Sequence, residues 1–391
     1  MLKPSPFHVM TKPIGPRCNI DCEYCYYLDK EQLYPSEKKF RMSDQVLEQY
    51  VRDLIATAAH TGQPEVAFAW QGGEPTLLGL DFFRRVVALQ KRYCPTGLQI
   101  SNSIQTNGTL LDADWAAFLA HEGFLVGISI DGPRAVHDRY RVDRAGRPTF
   151  DATMRGLDLL RNQGVTYNIL TTVHRANAGK GKQVYRFLRE LGSTHLQFIP
   201  IVERRAAGSD SLTPAPQIDH DPSNAVTDWS VRPRAYGKFL CDVFDLWYRQ
   251  DLGRIFIQHF ETQVGQWRGH PASLCVFAET CGNALALEHN GDLYACDHYV
   301  YPAYRLGNLM QTPLRDMAWS EAAASFGHAK RDQLTAQCRD CSFRFACNGG
   351  CPKHRFATAR DGEQGHNYFC PAYMMFFQHA GDRLRKLARG V

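Results

Sequence analysis

Short apolar runs of strand length alternate with longer amphipathic stretches along the first two-thirds of the chain. Six such runs occur, and each fits a buried strand. They cover residues 7–10, 65–70, 98–104, 124–130, 168–173 and 195–201. Helices are predicted between them at 44–59, 80–93, 113–121, 150–163 and 181–191, with Ser43 as the N-cap of the first. This alternation predicts an α/β fold whose parallel sheet curls into a full or partial barrel, with its chemistry at the C-terminal strand ends.

The pattern changes after residue 202. Residues 203–232 are rich in charges and turn formers, which predicts a long loop, either a lid over the barrel mouth or a surface insertion. Residues 236–250 then show the apolar periodicity of a core-facing helix. We therefore predict two domains, a barrel core over residues 1–235 that includes the loop, and a linker helix with a cysteine-rich domain over residues 236–391.

Composition excludes several classes of protein. The 391-residue chain is 44% hydrophobic and 22% charged, with a net charge of +5 that is not gathered in a basic run. We therefore expect neither a nucleic-acid partner nor a membrane partner, since no apolar stretch approaches the roughly 20 residues that span a bilayer. The N-terminus lacks the apolar region of a secretory signal. Thirteen cysteines in such a chain favour reduced thiolates that hold metal, as in a soluble cytoplasmic metalloenzyme.

Three of these cysteines, Cys18, Cys22 and Cys25, follow the first predicted strand in the pattern C-x-x-x-C-x-x-C. Three protein ligands leave one coordination position open, and an open position is typical of catalytic rather than structural metal sites. The alternative is a partial zinc site with a distant fourth ligand.

A second group of eight cysteines lies in the last third of the chain. Eight thiolates are two complete sets of four, the number that two cubane iron–sulfur clusters require, although zinc is an alternative for this region. The spacing does not say how the eight divide. They are Cys275, Cys281, Cys296, Cys338, Cys341, Cys347, Cys351 and Cys370. The remaining Cys94 and Cys241 are expected to be small buried side chains.

Polar turns follow three consecutive predicted strands. They are Gly72-Gly73-Glu74-Pro75, Gln105-Thr106-Asn107-Gly108 and Ser129-Ile130-Asp131-Gly132-Pro133. Each is compatible with ordinary turn chemistry, but three such turns in succession favour a binding site.

Taken together, the two cysteine groups and these turns resemble the radical S-adenosylmethionine (SAM) superfamily with a C-terminal SPASM domain. Within it, the chain is closely similar to the anaerobic sulfatase-maturating enzymes. The resemblance is carried by residues 68–77, 103–110, 127–133, 294–300 and 305–308. It implies a partial (β/α)6 barrel of the TIM type followed by a SPASM domain that binds two auxiliary 4Fe-4S clusters. It also implies oxidation of a sulfatase cysteine or serine to Cα-formylglycine.

The resemblance also assigns roles to individual residues. Cys18, Cys22 and Cys25 would hold the SAM-binding 4Fe-4S cluster, and Asp297 would be the catalytic proton acceptor. The family's SAM contacts fall on Tyr24, Gly73, Ser129, Arg141 and Val202. The first auxiliary cluster would take Cys275, Cys281, Cys296 and Cys351, and the second would take Cys338, Cys341, Cys347 and Cys370.

The implied partners are a sulfatase polypeptide and a reducing electron donor such as flavodoxin or ferredoxin, with the enzyme itself expected to be a monomer. Two alternatives compete with this interpretation. One is another radical SAM/SPASM peptide maturase that forms thioether or carbon–carbon crosslinks. The other is a zinc-dependent binding module without redox activity.

Overall fold

The computed structural model describes residues 6–35, 37, 39–206, 208–209, 211–214 and 225–390. The chain forms two compact units. The first contains Met1–Ser129, Arg141–Tyr167 and Gly282–Gly327. The second contains Ile130–Tyr140, Asn168–Cys281 and His328–Val391. Each unit combines segments from distant parts of the chain, and the division predicted at residues 235 and 236 stays a prediction.

The strands are short, and most of them belong to the parallel part of the fold. In chain order they are β1 His8–Lys12, β2 Glu65–Trp70, β3 Gln99–Thr106, β4 Leu125–Ser129, β5 Tyr167–Val173, β6 His195–Pro200, β7 Arg204–Arg205, β8 Ala225–Val226, β9 Phe256–Ile257, β10 Ala284–Glu288, β11 Asp292–Tyr294, β12 Arg305–Asn308, β13 Ala357–Thr358 and β14 Gln364–His366.

The helices range from single turns to the long C-terminal helix. They are α1 Asp44–His60, α2 Leu80–Tyr93, α3 Ala113–His121, α4 Arg134–His137, α5 Phe150–Asn162, α6 Gly181–Glu190, α7 Pro233–Gln250, α8 Gln258–Trp267, α9 Leu314–Ala318, α10 Glu321–Asp332, α11 Ala336–Arg339, α12 Arg344–Cys347 and α13 Cys370–Arg389. Short 3-10 turns cover Leu28–Leu33, Pro75–Leu78, Ala178–Lys180, Asp297–Tyr299, Pro302–Tyr304 and Pro352–His354.

The six strands predicted from apolar runs are all present as β1 to β6, and the five helices predicted between them are present as α1, α2, α3, α5 and α6. Helix α1 begins directly after Ser43, the predicted N-cap residue. The Ser43 hydroxyl accepts a hydrogen bond from Val46 N at 3.3 Å, which is the contact expected of an N-cap. The loop predicted at 203–232 contains the small β7–β8 pair. Residues 207, 210 and 215–224 of that loop lie outside the described residues, so its role as a lid stays a prediction.

The sheet of the first unit has the order β12-β11-β10-β1-β2-β3-β4. Strands β1 to β4 run parallel, and β10 joins β1 in parallel with His8 opposite Ala284 and Lys12 opposite Glu288. Strands β11 and β12 continue the sheet in antiparallel fashion. The sequence did not predict β10 as part of this sheet, because the pairing joins segments from opposite ends of the chain. Parallel strands bring their C-terminal ends to one edge, where the site lies.

An aromatic core lies between this sheet and helices α1 and α2. The fully buried Trp70 packs edge-on against Tyr50 and Phe83, with ring centroids 5.9 Å apart in each pair. Its indole nitrogen donates a hydrogen bond to Asn102 Oδ1 at 3.0 Å. The core therefore holds the end of β2, and the turn that follows it, in one position.

In the second unit, β5, β6 and β9 form a parallel sheet, and α7, α8 and α13 pack together. Phe376 of α13 stacks on Phe260 of α8 with centroids 5.5 Å apart and meets Phe244 of α7 at 5.6 Å. Gly237 permits the close approach of α7 to α13, since a Cβ there would lie 3.0 Å from Ala372 Cα. This packing supports the cysteine-rich segment that runs between α10 and α13.

Candidate active site and cluster-binding cysteines

The three N-terminal cysteines lie on the loop that follows β1. Within the loop, Cys25 N donates a hydrogen bond to Cys22 O at 2.8 Å. The loop is anchored where Arg144 Nε donates to Cys18 O at 2.9 Å. Burial, followed by the charges of Glu74 and Cys25, raises the pKa of the Cys18 thiol to about 12. The donor set of a metal site is supplied by the three thiols of this loop, and a metal would have to displace the proton of each one that it binds.

The Gly-Gly-Glu-Pro turn after β2 lies directly on this loop. Gly73 N donates to Gly15 O at 2.9 Å, and Glu74 N donates to Arg17 O at 2.8 Å. A Cβ at position 73 would lie only 1.8 Å from Arg17 O, so the contact requires glycine. The turn is therefore part of the cysteine-loop assembly and more than a local connection.

Glu74 extends this assembly to the turn after β3. Its buried carboxylate accepts hydrogen bonds from Thr106 Oγ1 and Asn107 N, each at 2.8 Å. Asn107 Nδ2 in turn lies 3.7 Å from Cys18 Sγ. Burial raises the pKa of Glu74, and these hydrogen bonds oppose the shift. Two of the three predicted turns thus converge on the cysteine loop.

The structure brings four of the five predicted SAM contacts into the first unit. Tyr24 and Arg141 are both buried, and the Arg141 guanidinium lies 5.6 Å from the Tyr24 ring centre. Arg141 also lies 4.0 Å from Cys22 Sγ. Ser129 ends β4 and accepts a hydrogen bond from Gln105 Nε2 at 3.0 Å. The fifth, Val202, is buried in the second unit just after β6.

Asp297 lies in the first unit, in the turn after β11, with its side chain 18% exposed. One carboxylate oxygen forms an ion pair with the buried Lys12 at the end of β1. The other accepts a hydrogen bond from the Tyr26 hydroxyl at 2.5 Å. Burial alone would raise the pKa of Asp297, but the charge of Lys12 together with these hydrogen bonds lowers it below its usual range. The carboxylate is therefore ionised beside the cysteine loop.

Sequence reasoning missed both residues that contact Asp297. Lys12 gave no signal in the sequence, because lysines are mostly exposed and the predicted apolar run ended at residue 10. In the structure it is 3% exposed, and a buried lysine requires a partner of opposite charge. Its ammonium group also lies 3.9 Å from the centre of the Tyr27 ring, whose hydroxyl donates to Glu288. Tyr26 also carried no signal, since an aromatic residue beside a cysteine ligand is equally compatible with packing.

Four of the later cysteines surround a single cavity of about 240 Å³ in the second unit. These four are Cys338, Cys341, Cys347 and Cys370. His366 also lines the cavity, and its Nδ1 lies 3.5 Å from Cys338 Sγ. Among the described residues, no group of three or more His, Cys, Asp or Glu side chains is arranged to hold a single metal ion. Thiols spread around a cavity of this size suit a multi-iron cluster.

The other predicted set is divided between the units. Cys275, Cys281 and Cys351 lie in the second unit, and Cys296 lies in the first, directly before Asp297. Burial and the neighbouring Cys281 thiolate raise the pKa of Cys351. The buried Lys330 donates to Cys275 O at 2.7 Å, which places a positive charge beside these thiols.

The two cysteines outside these sets were predicted to be buried, but both are only partly buried. Cys94 Sγ lies 3.2 Å from Leu98 O, and Cys241 Sγ lies 4.0 Å from Met375 O.

Comparison with known proteins identifies the family of this chain. Residues 13–188 match the family model of the radical SAM superfamily, and residues 275–342 match SPASM, an iron–sulfur cluster-binding domain. The chain is 43% identical to the serine-type anaerobic sulfatase-maturating enzyme of Bacteroides thetaiotaomicron over 374 residues, covering 96% of this chain and 89% of that protein. The chain belongs to the anaerobic sulfatase-maturating enzymes.

Both types of anaerobic sulfatase-maturating enzyme are among its relatives. The cysteine-type enzyme of Clostridium perfringens is 32% identical over 392 residues, which is 99% of each chain. The solved structure of native anSMEcpe with bound AdoMet matches with a TM-score of 0.84 at 32% identity, covering 99% of this chain and 100% of that one. The complex of anSMEcpe with AdoMet and the Kp18Cys peptide matches equally well, with a TM-score of 0.84 at 33% identity.

Membership of this family confirms the predicted α/β fold class with a SPASM domain. It also confirms the prediction of a radical SAM enzyme and excludes the alternative of a zinc-dependent binding module without redox activity. It also confirms the predicted classes of cofactor, SAM and 4Fe-4S clusters. The assignment of individual residues to them stays a prediction. Within the described residues, none of the helices has the length and apolar character needed to cross a membrane.

Proposed function

We propose that this enzyme activates a sulfatase by oxidising its active-site cysteine or serine to Cα-formylglycine. The observation that carries the proposal is the Asp297 carboxylate, which is ion-paired with Lys12 and accepts a hydrogen bond from Tyr26 at the edge where the three-cysteine loop follows β1. The near-full-length similarity to both serine-type and cysteine-type maturating enzymes supports the same chemistry.

The cofactor ligands divide into three sets of cysteines. Cys18, Cys22 and Cys25 hold the SAM-binding 4Fe-4S cluster, and the hydrogen-bonded loop that carries them supports this set. The second auxiliary cluster is held by Cys338, Cys341, Cys347 and Cys370, which the shared cavity supports. The first auxiliary cluster is held by Cys275, Cys281, Cys296 and Cys351. The residues assigned to contact SAM are Tyr24, Gly73, Ser129, Arg141 and Val202.

The chemistry divides between cofactor and protein. When bound, the first cluster and SAM supply a radical that removes hydrogen from the Cβ of the target side chain, a step beyond acid–base chemistry. Asp297 accepts the proton of the target thiol or hydroxyl, and the second electron of the oxidation would pass to an auxiliary 4Fe-4S cluster. Serine would then give the aldehyde directly, whereas cysteine would give a thioaldehyde that water converts to the aldehyde with release of sulfide. Lys12 keeps the Asp297 carboxylate ionised, and Tyr26 fixes the orientation of its second oxygen. A positioned general base contributes roughly 10²–10⁴-fold to a rate.

The electron donor is a small reduced protein such as a flavodoxin or ferredoxin, and the enzyme acts as a monomer in the cytoplasm. Its polypeptide substrate is the sulfatase motif, presented in an extended form.

The test uses the reconstituted enzyme under anaerobic conditions with SAM, dithionite and a sulfatase-motif peptide in cysteine and serine versions. The expected products are 5′-deoxyadenosine and a peptide that contains formylglycine. Mass spectrometry would identify this peptide by the mass loss calculated for conversion of serine, or of cysteine, to the aldehyde. A product that loses two hydrogens, carries no aldehyde and contains an internal crosslink would instead identify a thioether or carbon–carbon maturase. Absence of 5′-deoxyadenosine would refute radical SAM chemistry altogether.

A further inference from the structure

Phe345 is an exposed aromatic side chain on a helix that the protein holds firmly in place. Half of it, 50%, is accessible to solvent, although it lies on α12 only two residues before Cys347. Its ring meets the partly buried Trp267 edge-on with centroids 4.7 Å apart. Gln266 Nε2 donates to Phe345 O at 3.0 Å, and Gln263 Nε2 donates to Ala346 O at 3.1 Å. The backbone is therefore fixed while the ring remains at the surface.

Basic side chains lie beside this aromatic pair. Arg268 follows Trp267, and its Nη2 donates to Leu387 O at 2.9 Å, which brings the last turn of α13 next to α8. Residues 383–390 contain four Arg or Lys, of which Arg383 pairs with Asp245 and Arg385 pairs with Asp382. Lys386 and Arg389 of this turn are exposed. We call this area the Phe345 surface, and it comprises Trp267, Arg268, Phe345, Lys386 and Arg389.

The Phe345 surface adjoins the cavity that the four cysteines surround. Arg344 and Cys347, at the two ends of α12, both line that cavity. A protein bound over Phe345 would therefore lie close to whatever redox group the four thiols hold. Aromatic and arginine side chains are enriched at protein interaction sites, and exposed charge on the rim accelerates encounter with an oppositely charged partner.

We infer that the Phe345 surface is the docking site for a small acidic electron-transfer protein, an inference that rests on the proposed function. Small flavodoxins and ferredoxins are generally acidic, so their charge complements Arg268, Lys386 and Arg389. One electron leaves the reduced carrier and enters the group held by the four cysteines, and no bond is made or broken. Complexes of this kind bury little surface, below about 1,200 Å², and dissociate readily in salt.

Binding to the reconstituted enzyme provides the test. The probes are an acidic plant-type [2Fe-2S] ferredoxin and an acidic flavodoxin, measured by calorimetry at about 20 mM and about 200 mM salt. The double variant Lys386→Glu/Arg389→Glu should weaken binding at low salt by about tenfold or more and should reduce its salt dependence. The matched control Arg84→Glu/Arg92→Glu, with the same change of charge on exposed side chains of α2, should bind like the wild type.

A second variant separates packing from charge. Phe345→Ser should weaken binding at both salt concentrations, because it removes the aromatic anchor without changing charge. Formylglycine formation driven by dithionite should be unchanged in all of these variants, whereas formation driven by the carriers should fall in the Phe345 and Lys386/Arg389 variants. If the wild type forms no formylglycine with dithionite, the proposed function is wrong. The binding measurements would still show whether the Phe345 surface binds the carriers, because they do not depend on formylglycine formation.

Several outcomes would overturn the inference. One is failure of both carriers to bind the wild type, and another is an unchanged dissociation constant in the Lys386→Glu/Arg389→Glu variant. Equal binding of an acidic protein without a redox centre would show a surface selective only for negative charge. Binding of anionic lipid vesicles that these substitutions abolish, without binding of either carrier, would identify a membrane contact instead.

Discussion

Replacing Gly73 with alanine tests whether the turn after β2 has to lie directly on the cysteine loop. A Cβ at this position would lie 1.8 Å from Arg17 O and 2.8 Å from Pro16 O, whereas real Cβ contacts essentially never fall below 3.0 Å. The backbone at Arg17 must therefore retreat by about 1.2 Å, and no flexible side chain can absorb the movement. The substitution thus displaces the residue that immediately precedes Cys18.

The energetic cost follows from the contacts that cross this boundary. Two backbone hydrogen bonds join the turn to the loop, from Gly73 N to Gly15 O and from Glu74 N to Arg17 O. Weakening them costs about 1 kcal/mol each, and forcing a methyl group into a packed site adds about 1–3 kcal/mol. We expect Gly73→Ala to lower the free energy of unfolding by about 3–5 kcal/mol and to weaken SAM binding.

Urea unfolding of the anaerobic protein and calorimetric titration with SAM measure the two effects. Gly265→Ala is the matched control, because Gly265 lies in α8 and a methyl group added there would have no other atom within 4 Å. The stability of this control should hold or rise by about 1 kcal/mol. If Gly73→Ala unfolds within about 0.5 kcal/mol of the wild type and binds SAM equally well, neither stability nor SAM binding requires the close contact.

Three further substitutions address the chemistry, a buried ion pair and the clusters. Asp297→Asn should lower the rate of aldehyde formation by roughly 10²–10⁴-fold while 5′-deoxyadenosine is still produced, as chromatography of both products would measure. Lys353→Met should cost about 3–5 kcal/mol of unfolding free energy because it removes the buried ion pair with Glu203, and Glu203→Gln added to it should restore most of that loss. Cys370→Ala should lower the iron content from roughly twelve toward eight per chain, whereas Cys94→Ala should leave it unchanged.

Each of these has a contradicting result. Normal aldehyde yield in the Asp297 variant would remove this carboxylate from the reaction. Simple additivity of the Glu203 and Lys353 substitutions would show that the two side chains do not stabilise each other. A full complement of iron after loss of Cys370 would mean that the four thiols around the cavity do not hold a cluster together.

Local patterns were sufficient for the elements that precede the site. Helices α2 and α3 begin and end where the apolar periodicity predicted, and Asp112 caps α3 by accepting from Trp115 N at 2.8 Å. Such features depend on residues a few positions apart, so the sequence displays them directly. Strand β10 is different, since the four apolar residues that precede Glu288 are compatible with several structures until β1 is available to pair with them.

The sequence by itself determined the strand–helix alternation, the two cysteine groups and the resemblance that marks Asp297. Only the tertiary structure decided what surrounds that carboxylate, because Tyr26 and Asp297 are 271 residues apart and meet through the pairing of β10 with β1. The same holds for the cavity among Cys338, Cys341, Cys347 and Cys370, since spacing allows many partitions of eight thiols. Contacts between distant segments follow from how the elements pack, and no local pattern of residues encodes that packing.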